Sequence, residues 1–261
     1  MFNYSNKTAL ITGASSGIGE AFANSLAAKK CNLILVARNE AKLTTLAAEL
    51  SAAYKVKATV IALDLSAPGA SQALFQVVQN HHLKVDLLIN NAGFATYGYF
   101  EQVSGARQHE EVMLNVAALV DITHAFMPDL LRNQDGGLIN VSSTAAFQPD
   151  PYMAVYGATK AFVLSFSEAL WAENRKRGLK VLALCPGATE TAFFNVVGSS
   201  EASVGSRQTP NTVVTNALKA FEKGKSHLIS GRQNYLVSQV SRFFSRQFTL
   251  GIVERTLRPR K

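Results

Sequence analysis

Three side chains in this sequence have the types and spacing needed for proton transfer: Ser143, Tyr156 and Lys160. Tyr156 and Lys160 lie in "YGATK", four residues apart, so on a helix they stand on one face about a turn from each other. A phenol ionises near about 10, and moving it toward about 7 takes about 4 kcal/mol of preferential stabilisation of the phenolate. A solvated lysine at helical spacing supplies a few tenths of that; a desolvated one, helped by a second positive charge, supplies far more. In a buried site Tyr156 then acts as a general acid in one direction and a general base in the other. Ser143 ends an apolar run upstream, where its hydroxyl suits a developing alkoxide. An aromatic core residue beside a snorkelling lysine would leave Ser143 without a role.

Those residues have to be held by something, and the chain supplies a regular alternation. Apolar, β-branched runs at 8–13, 32–37, 57–65, 85–90, 137–143, 180–185 and 226–230 read as strands. Helical patterns at 19–30, 39–54, 70–81, 105–132, 152–177 and 212–224 lie between them. Strands so continuous in Val, Ile and Leu suit a sheet buried on both faces. Alternation of this kind predicts an α/β fold: a single-domain, Rossmann-type, doubly wound parallel sheet with helices on both faces. In such sheets ligands bind at the carboxyl ends of the strands, which is where the residues above fall. The Gly-, Ser- and Thr-rich segment 188–210 is the expected mobile loop over the site.

The first strand turns into the first helix through "TGASSGIGEAF". Gly13 permits the tight turn, Gly17 the close approach of a diphosphate, and Gly19 the packing of helix on strand. The helix then aims its free N–H groups at the phosphates. After the second strand comes Arg38, where an acid would bind the 2′-hydroxyl of NAD; a guanidinium there suits the 2′-phosphate of NADP. NADP(H) is therefore expected in preference to NAD(H).

The ordered set "TGASSGIG" (12–19), "DL" (64–65), "NNAG" (90–93), Asn115, "VSS" (141–143), "YGATK" (156–160) and "PG" (186–187) resembles the short-chain dehydrogenase/reductase family over roughly 5–230. The resemblance implies a reductase or dehydrogenase that interconverts a carbonyl and a secondary alcohol. It implies a cofactor held by Gly13, Ser15, Ser16, Gly17, Ile18, Gly19 and Arg38, with Asp64 and Leu65 at the adenine. Asn91, Ala92 and Gly93 border the adenosine ribose, Lys160 bonds the nicotinamide ribose, and Pro186, Gly187, Thr189 and Thr191 follow along the nicotinamide. Thr189 departs from the family's usual Val or Ile, whereas Thr191 matches as a carboxamide partner. Ser143 is selected over Ser142 by the family's spacing and by strand alternation. Asn115 is implied to break its helix and help a water relay protons to Lys160. A dimer or tetramer is implied as well.

Composition narrows the rest. The 261 residues are 48% apolar and 17% charged, as in globular proteins, and no uninterrupted apolar run approaches a membrane span. With two cysteines, Cys31 and Cys185, and no basic-then-apolar start, a cytoplasmic protein with reduced core thiols is expected. The five histidines have no ligand spacing, so no metal is expected. The net charge of +8 sits almost wholly in residues 222–261, where nine Lys/Arg face two acids. A near-neutral body argues against nucleic acid. Residues 1–234 are read as the site-bearing domain and 235–261 as a basic tail. That tail belongs to the same domain, to an oligomer contact, or to a membrane surface, since its arginines and apolar residues interleave. Phe94, Tyr97, Tyr99, Phe193 and Phe194 point to an apolar carbonyl or alcohol substrate, or to core and subunit contacts. A non-catalytic NADP-binding regulator needs the glycine turn but not the Ser, Tyr and Lys together. A nucleotide-sugar epimerase shares the Tyr/Lys pair but usually has a longer C-terminal region.

Overall fold

The computed structural model describes residues 2–132, 135–193, 197 and 207–259. Among these residues there are seven strands: β1 (Thr8–Thr12), β2 (Asn32–Ala37), β3 (Ala58–Ala62), β4 (Leu87–Asn90), β5 (Gly137–Val141), β6 (Lys180–Cys185) and β7 (His227–Ile229). They form one sheet in the order β3-β2-β1-β4-β5-β6-β7, every pairing parallel. The helices that cross between them are α1 (Gly17–Ala28), α2 (Glu40–Tyr54), α3 (Ala70–Asn80), α4 (Gly105–Val112), α5 (Leu119–Leu131), α6 (Ala154–Asn174) and α7 (Pro210–Glu222). Past the last strand come α8 (Arg232–Phe243) and α9 (Arg246–Leu257).

Strand alternation divides the apolar side chains between two cores. Ala9, Ile11, Leu33, Leu35, Leu87 and Ile89 pack with α1, α2 and α7 around Phe22, Leu26 and Phe221. Leu10, Ile34, Val36, Leu88 and Leu138 pack the other way, with α3 and α5 around Leu74 and Phe126. Each fully buried Leu, Ile or Phe contributes roughly 1.5–3 kcal/mol relative to exposure, so both faces of the sheet are held firmly. Cys31 and Cys185 are free and buried, as expected.

Two departures from the sequence reading have physical causes. The predicted helix 105–132 is not uniformly α: Met113–Ala118 is a π-helical turn joining α4 to α5. Gly105–Leu131, 27 residues long, also holds an 18-residue window of mean hydropathy 1.2, enough by length and composition to cross a membrane, which an inspection for apolar runs overlooks. Here it flanks the sheet, with Ile122, Phe126 and Leu130 in the core. Much of the segment 188–210 and Phe194 fall outside the described residues.

The basic tail is not a trailing extension of the chain. Tyr97 donates its hydroxyl to the Leu257 carbonyl at 2.8 Å, and Tyr152 donates to the Glu254 carboxylate at 2.7 Å. These bonds fasten α9 to the loops after β4 and before α6.

Candidate active site

The carboxyl ends of β1, β2, β4, β5 and β6 open on a cavity of ≈ 1030 Å³. Among its lining residues are Gly13, Ser15, Ser16, Gly17, Ile18, Arg38, Asp64, Leu65, Asn91, Ala92, Gly93, Ser143, Tyr156, Lys160, Pro186, Gly187, Thr189 and Thr191. Two of the residues expected at the site stand behind this wall. Gly19 packs α1 against the Gly13 carbonyl, where a Cβ would collide. Asn115 is buried on the π-helical turn.

The phosphate end is built by backbone. Gly13 and Gly17 have φ of +66° and +60°, and a Cβ on either would come within 2.8 Å of Asn91 Nδ2 or Thr191 Cγ2. With their positive φ and these close neighbours, both positions require glycine, so the turn packs tightly ahead of α1, whose free N-terminal N–H groups suit an anionic diphosphate. Thr12 braces this turn. Its hydroxyl accepts from the N–H groups of Asn91 and Ala92 at 2.9 and 3.0 Å, while Asn91 Nδ2 donates to the carbonyls of Thr12 and Gly13. Asn91 thus spends its amide on the turn itself. Thr12 was missed in the sequence, although a threonine directly before Gly13 was its visible signal.

At the other nucleotide end, Arg38 is exposed and only loosely paired, 3.9 Å from Asp64 and 4.0 Å from Glu110. Lys42 lines the same corner one turn into α2, whose N-cap Asn39 accepts from its N–H. Burial works to raise the Asp64 pKa, but hydrogen bonds from Ser66 and the charges of Arg38 and Arg107 prevail, so its carboxyl stays below its ordinary range.

Ser143, Tyr156 and Lys160 converge at the inner end of the cavity. The Ser143 hydroxyl, which accepts from Ala145 N at 3.1 Å, stands near enough to the Tyr156 phenol to act on its ionisation. Lys160 is 6% exposed; its Nζ donates to the Val141 carbonyl at 2.9 Å and lies 5.7 Å from the centre of the Tyr156 ring. Ser142 turns away, donating to the Lys160 carbonyl at 2.8 Å, as alternation requires. Burial, with Asp150 and Glu111 adding to it, pushes the Tyr156 phenol above its ordinary value, and the Ser143 hydroxyl opposes this only in part. Burial also lowers the Lys160 ammonium to about 8. In the protein alone, then, desolvation prevails, and Tyr156 is held as an acid. Acidification toward neutrality needs a further positive charge.

The Asn115 side chain clasps the loop after β4. Its Oδ1 accepts from Phe94 N at 3.2 Å, and its Nδ2 donates to Phe94 O and Thr159 Oγ1 at 2.9 and 3.1 Å. Of the expected aromatics, Phe94 and Phe193 line the cavity, Phe193 lying 5.6 Å from the Tyr156 ring. Tyr97 and Tyr99 do not line it: Tyr97 anchors α9, and Tyr99 packs edge-on to Tyr152 at 5.2 Å. Unmarked by any local pattern are Leu236, Val237, Val240, Ile252, Val253 and Leu257, by which α8 and α9 complete the apolar wall. Nor did it mark two buried acids, Glu111 and Asp150, whose pKa values burial raises to about 7 and about 6. Among the described residues no group of His, Cys, Asp or Glu has the arrangement of a metal site.

A doubly wound parallel sheet with a glycine cradle at one end of its crevice and a Ser–Tyr–Lys cluster at the other defines a dinucleotide-dependent oxidoreductase site. The family model described as short chain dehydrogenase matches residues 7–202, and the chain belongs to that family. It is 31% identical over 229 residues to the 7beta-hydroxysteroid dehydrogenase of Mediterraneibacter gnavus, covering 86% of each chain. It is 32% identical over 189 residues to the inactive hydroxysteroid dehydrogenase-like protein 1 of Homo sapiens; this match takes in 71% of the present chain and about half (56%) of the human one. A short-chain dehydrogenase from Sphingobium yanoikuyae, solved in complex with NADPH, superposes with a TM-score of 0.81 at 31% identity, covering 98% of this chain and 96% of that one. The residues that line the crevice fit a nicotinamide dinucleotide.

Proposed function

We propose that the chain is an NADP(H)-dependent oxidoreductase that interconverts a carbonyl and a secondary alcohol, with Tyr156 as the general acid/base. The observation that carries this reading is the convergence of Ser143, Tyr156 and Lys160 in a cavity whose other end is the glycine cradle with Arg38. The nicotinamide supplies hydride to the carbonyl carbon or removes it from the alcohol carbon. Ser143 hydrogen-bonds the substrate oxygen, and Tyr156 gives that oxygen a proton in reduction. For oxidation Tyr156 must be a phenolate, which the Lys160 ammonium favours together with any positive charge brought by the oxidised cofactor. Arg38 and Lys42 supply two cations for a 2′-phosphate, and no carboxylate stands at residue 37. The apolar wall of Phe94, Phe193, Val237, Val240, Ile252 and Leu257 favours a bulky apolar substrate, in keeping with the hydroxysteroid dehydrogenase relative.

A panel of bulky ketones and secondary alcohols, assayed with NADPH and NADH by nicotinamide absorbance, tests the reading. Turnover is expected with several apolar ketones, at higher kcat/KM with NADPH, and Arg38→Ala is expected to erase most of the coenzyme preference. No turnover across the panel, with NADPH still bound, would move the assignment to a non-catalytic NADP-binding regulator.

The apolar surface of the last two helices favours a second, compatible reading: a reductase that works at a membrane surface on a lipid-like substrate. Leu236, Val237 and Ile252 line the cavity yet remain 66%, 66% and 48% exposed, and Phe243, Phe244 and Phe248 extend the patch. The surrounding tail, 235–261, carries six Lys/Arg against one acid, a net +5 that matches an anionic bilayer. Flotation with phosphatidylserine-containing vesicles is expected for the wild type and is expected to be lost in Phe243→Ser/Phe244→Ser. A salt-insensitive dimer disrupted by the same double variant, with no flotation, would identify the patch as a subunit contact instead.

A further inference from the structure

Glu111 is a buried acid that the chemistry above does not use. It is 0% exposed, on the last turn of α4, one helical turn before Asn115 on the same face. Both side chains grip the loop after β4: Asn115 at Phe94, and Glu111 at Thr96, whose N–H and hydroxyl donate to Glu111 Oε2 at 3.0 and 2.7 Å. The other carboxyl oxygen, Oε1, is buried without a hydrogen-bond partner. An orphaned polar atom of this kind is costly unless it serves a purpose or holds a water. Lys160 stands on the far side of the same loop. A Cβ on Gly93 would lie 2.8 Å from Asn115 Oδ1 and 3.5 Å from Lys160 Nζ, so amide and ammonium face one backbone atom together.

We propose that Glu111 is a positioning residue for proton supply: acting through Lys160, it returns the proton that Tyr156 gives up in carbonyl reduction. The inference rests on the reductase reading. In the first step the Tyr156 O–H bond breaks and that proton completes the O–H bond of the alcohol, leaving a phenolate. An N–H of the Lys160 ammonium then breaks, restoring the phenol and leaving a neutral amine. The Glu111 carboxyl loses its proton to that amine through a water bridging Oε1, and solvent reprotonates the carboxylate. Electrons stay in the bonds that release each proton, and one solvent proton is consumed per turnover.

The charges around Glu111 suit this duty. Burial raises its pKa to about 7, while the Thr96 bonds, Lys160 from α6 and Arg107 from its own helix act to lower it. Burial brings Lys160 down to about 8, with Glu111 the largest charge opposing. Tyr156 and, beyond it, Asp150 complete the ionisable groups on the α6 side, while Glu110 faces Arg107 and Arg38 at the surface. Burial thus moves the two groups toward each other, the Glu111 carboxyl up and the Lys160 ammonium down.

Glu111→Gln tests this while keeping both Thr96 bonds, which the amide oxygen can accept. The wild-type reduction rate is expected to fall as pH rises through about 7. In E111Q, kcat is expected to drop at least about tenfold below that pH, with KM little changed and the inflection gone. Glu111→Asp is expected to restore part of the rate and the inflection. Independently of turnover, infrared difference titration of the cofactor-free protein should find a carboxyl group ionising near 7 that E111Q lacks. A uniform loss at every pH, an unchanged profile, or no such carboxyl would each overturn the proposal. If E111Q fails to fold, the wild-type titration and a solvent isotope effect on kcat decide it, with no isotope effect counting against. An inactive wild type that still shows the titration would sink the reductase reading and not the buried acid.

Discussion

In the mechanism we propose, Tyr156 sits where two opposed demands meet. Reduction needs a phenol that still holds its proton at neutral pH, and the burial that raises its pKa provides one. Oxidation needs a phenolate, and the Lys160 ammonium can support it only while it keeps its own proton, against a pKa lowered to about 8. Removing the phenol should therefore remove the chemistry and leave the nucleotide end untouched. Tyr156→Phe is expected to cost roughly 10²–10⁴-fold or more in turnover. Its NADPH affinity, measured by fluorescence titration, should be nearly unchanged, because the cradle of Gly13 and Gly17 and the corner of Arg38 and Lys42 do not depend on the phenol. Retained turnover would remove Tyr156 from the mechanism. That Ser143, Tyr156 and Lys160 meet at one cavity was readable from residue type and spacing. Glu111 and Asp150 were not, because whether a carboxylate is solvated or buried depends on what folds over it, and nothing local marks that.

The elements that place these residues differ in how plainly the sequence announces them. β4 and β5 are buried along their whole length, and their short apolar runs betray that even though each carries one asparagine, Asn90 or Asn140. The helix carrying Tyr156 was expected at 152–177 and is found at Ala154–Asn174, a difference confined to fraying ends. The π-helical turn at Met113–Ala118 left no such trace, since one extra residue in a turn hardly alters an apolar period over so short a span. It matters nonetheless, because it carries Asn115 to the Phe94 backbone and so sets the loop between Lys160 and Glu111. The tail shows the opposite case. Its mixed apolar and basic residues read equally well as an interfacial helix or a subunit contact. The structure lays α8 and α9 against the cavity, as the same-domain reading allows, held by the Tyr97 and Tyr152 hydroxyls and with apolar side chains still facing outward. Two long-range bonds, 160 and 102 residues apart in the chain, decide that placement, and no local pattern encodes them.

Over the whole molecule, the same buried acids couple the site to stability. Glu111 and Asp150 have folded pKa values of about 7 and about 6, against ordinary values of 4.5 and 3.8. The folded state therefore holds these protons more tightly than the unfolded chain does. The sign follows from linkage: stability is greatest while both groups are protonated in both states, and it declines as pH rises from about 4 to about 7. Each shift corresponds to something on the order of 3 kcal/mol, a sizeable share of a typical domain's total. Lys160, lowered to about 8 from 10.5, has the reverse sign, and its contribution recovers only as pH rises above about 8. Glu111→Gln should thus be close to the wild type in melting temperature at pH 4.5 and more stable at pH 7.5, with the gap opening across the interval. Asp150→Asn should behave alike over a slightly lower range. Calorimetric scans of the three proteins at half-unit steps would reveal this, and parallel curves with a constant offset would mean that neither carboxyl is held neutral by the fold. The expected divergence would mean that the protein gives up stability at neutral pH to keep two acids beside its tyrosine.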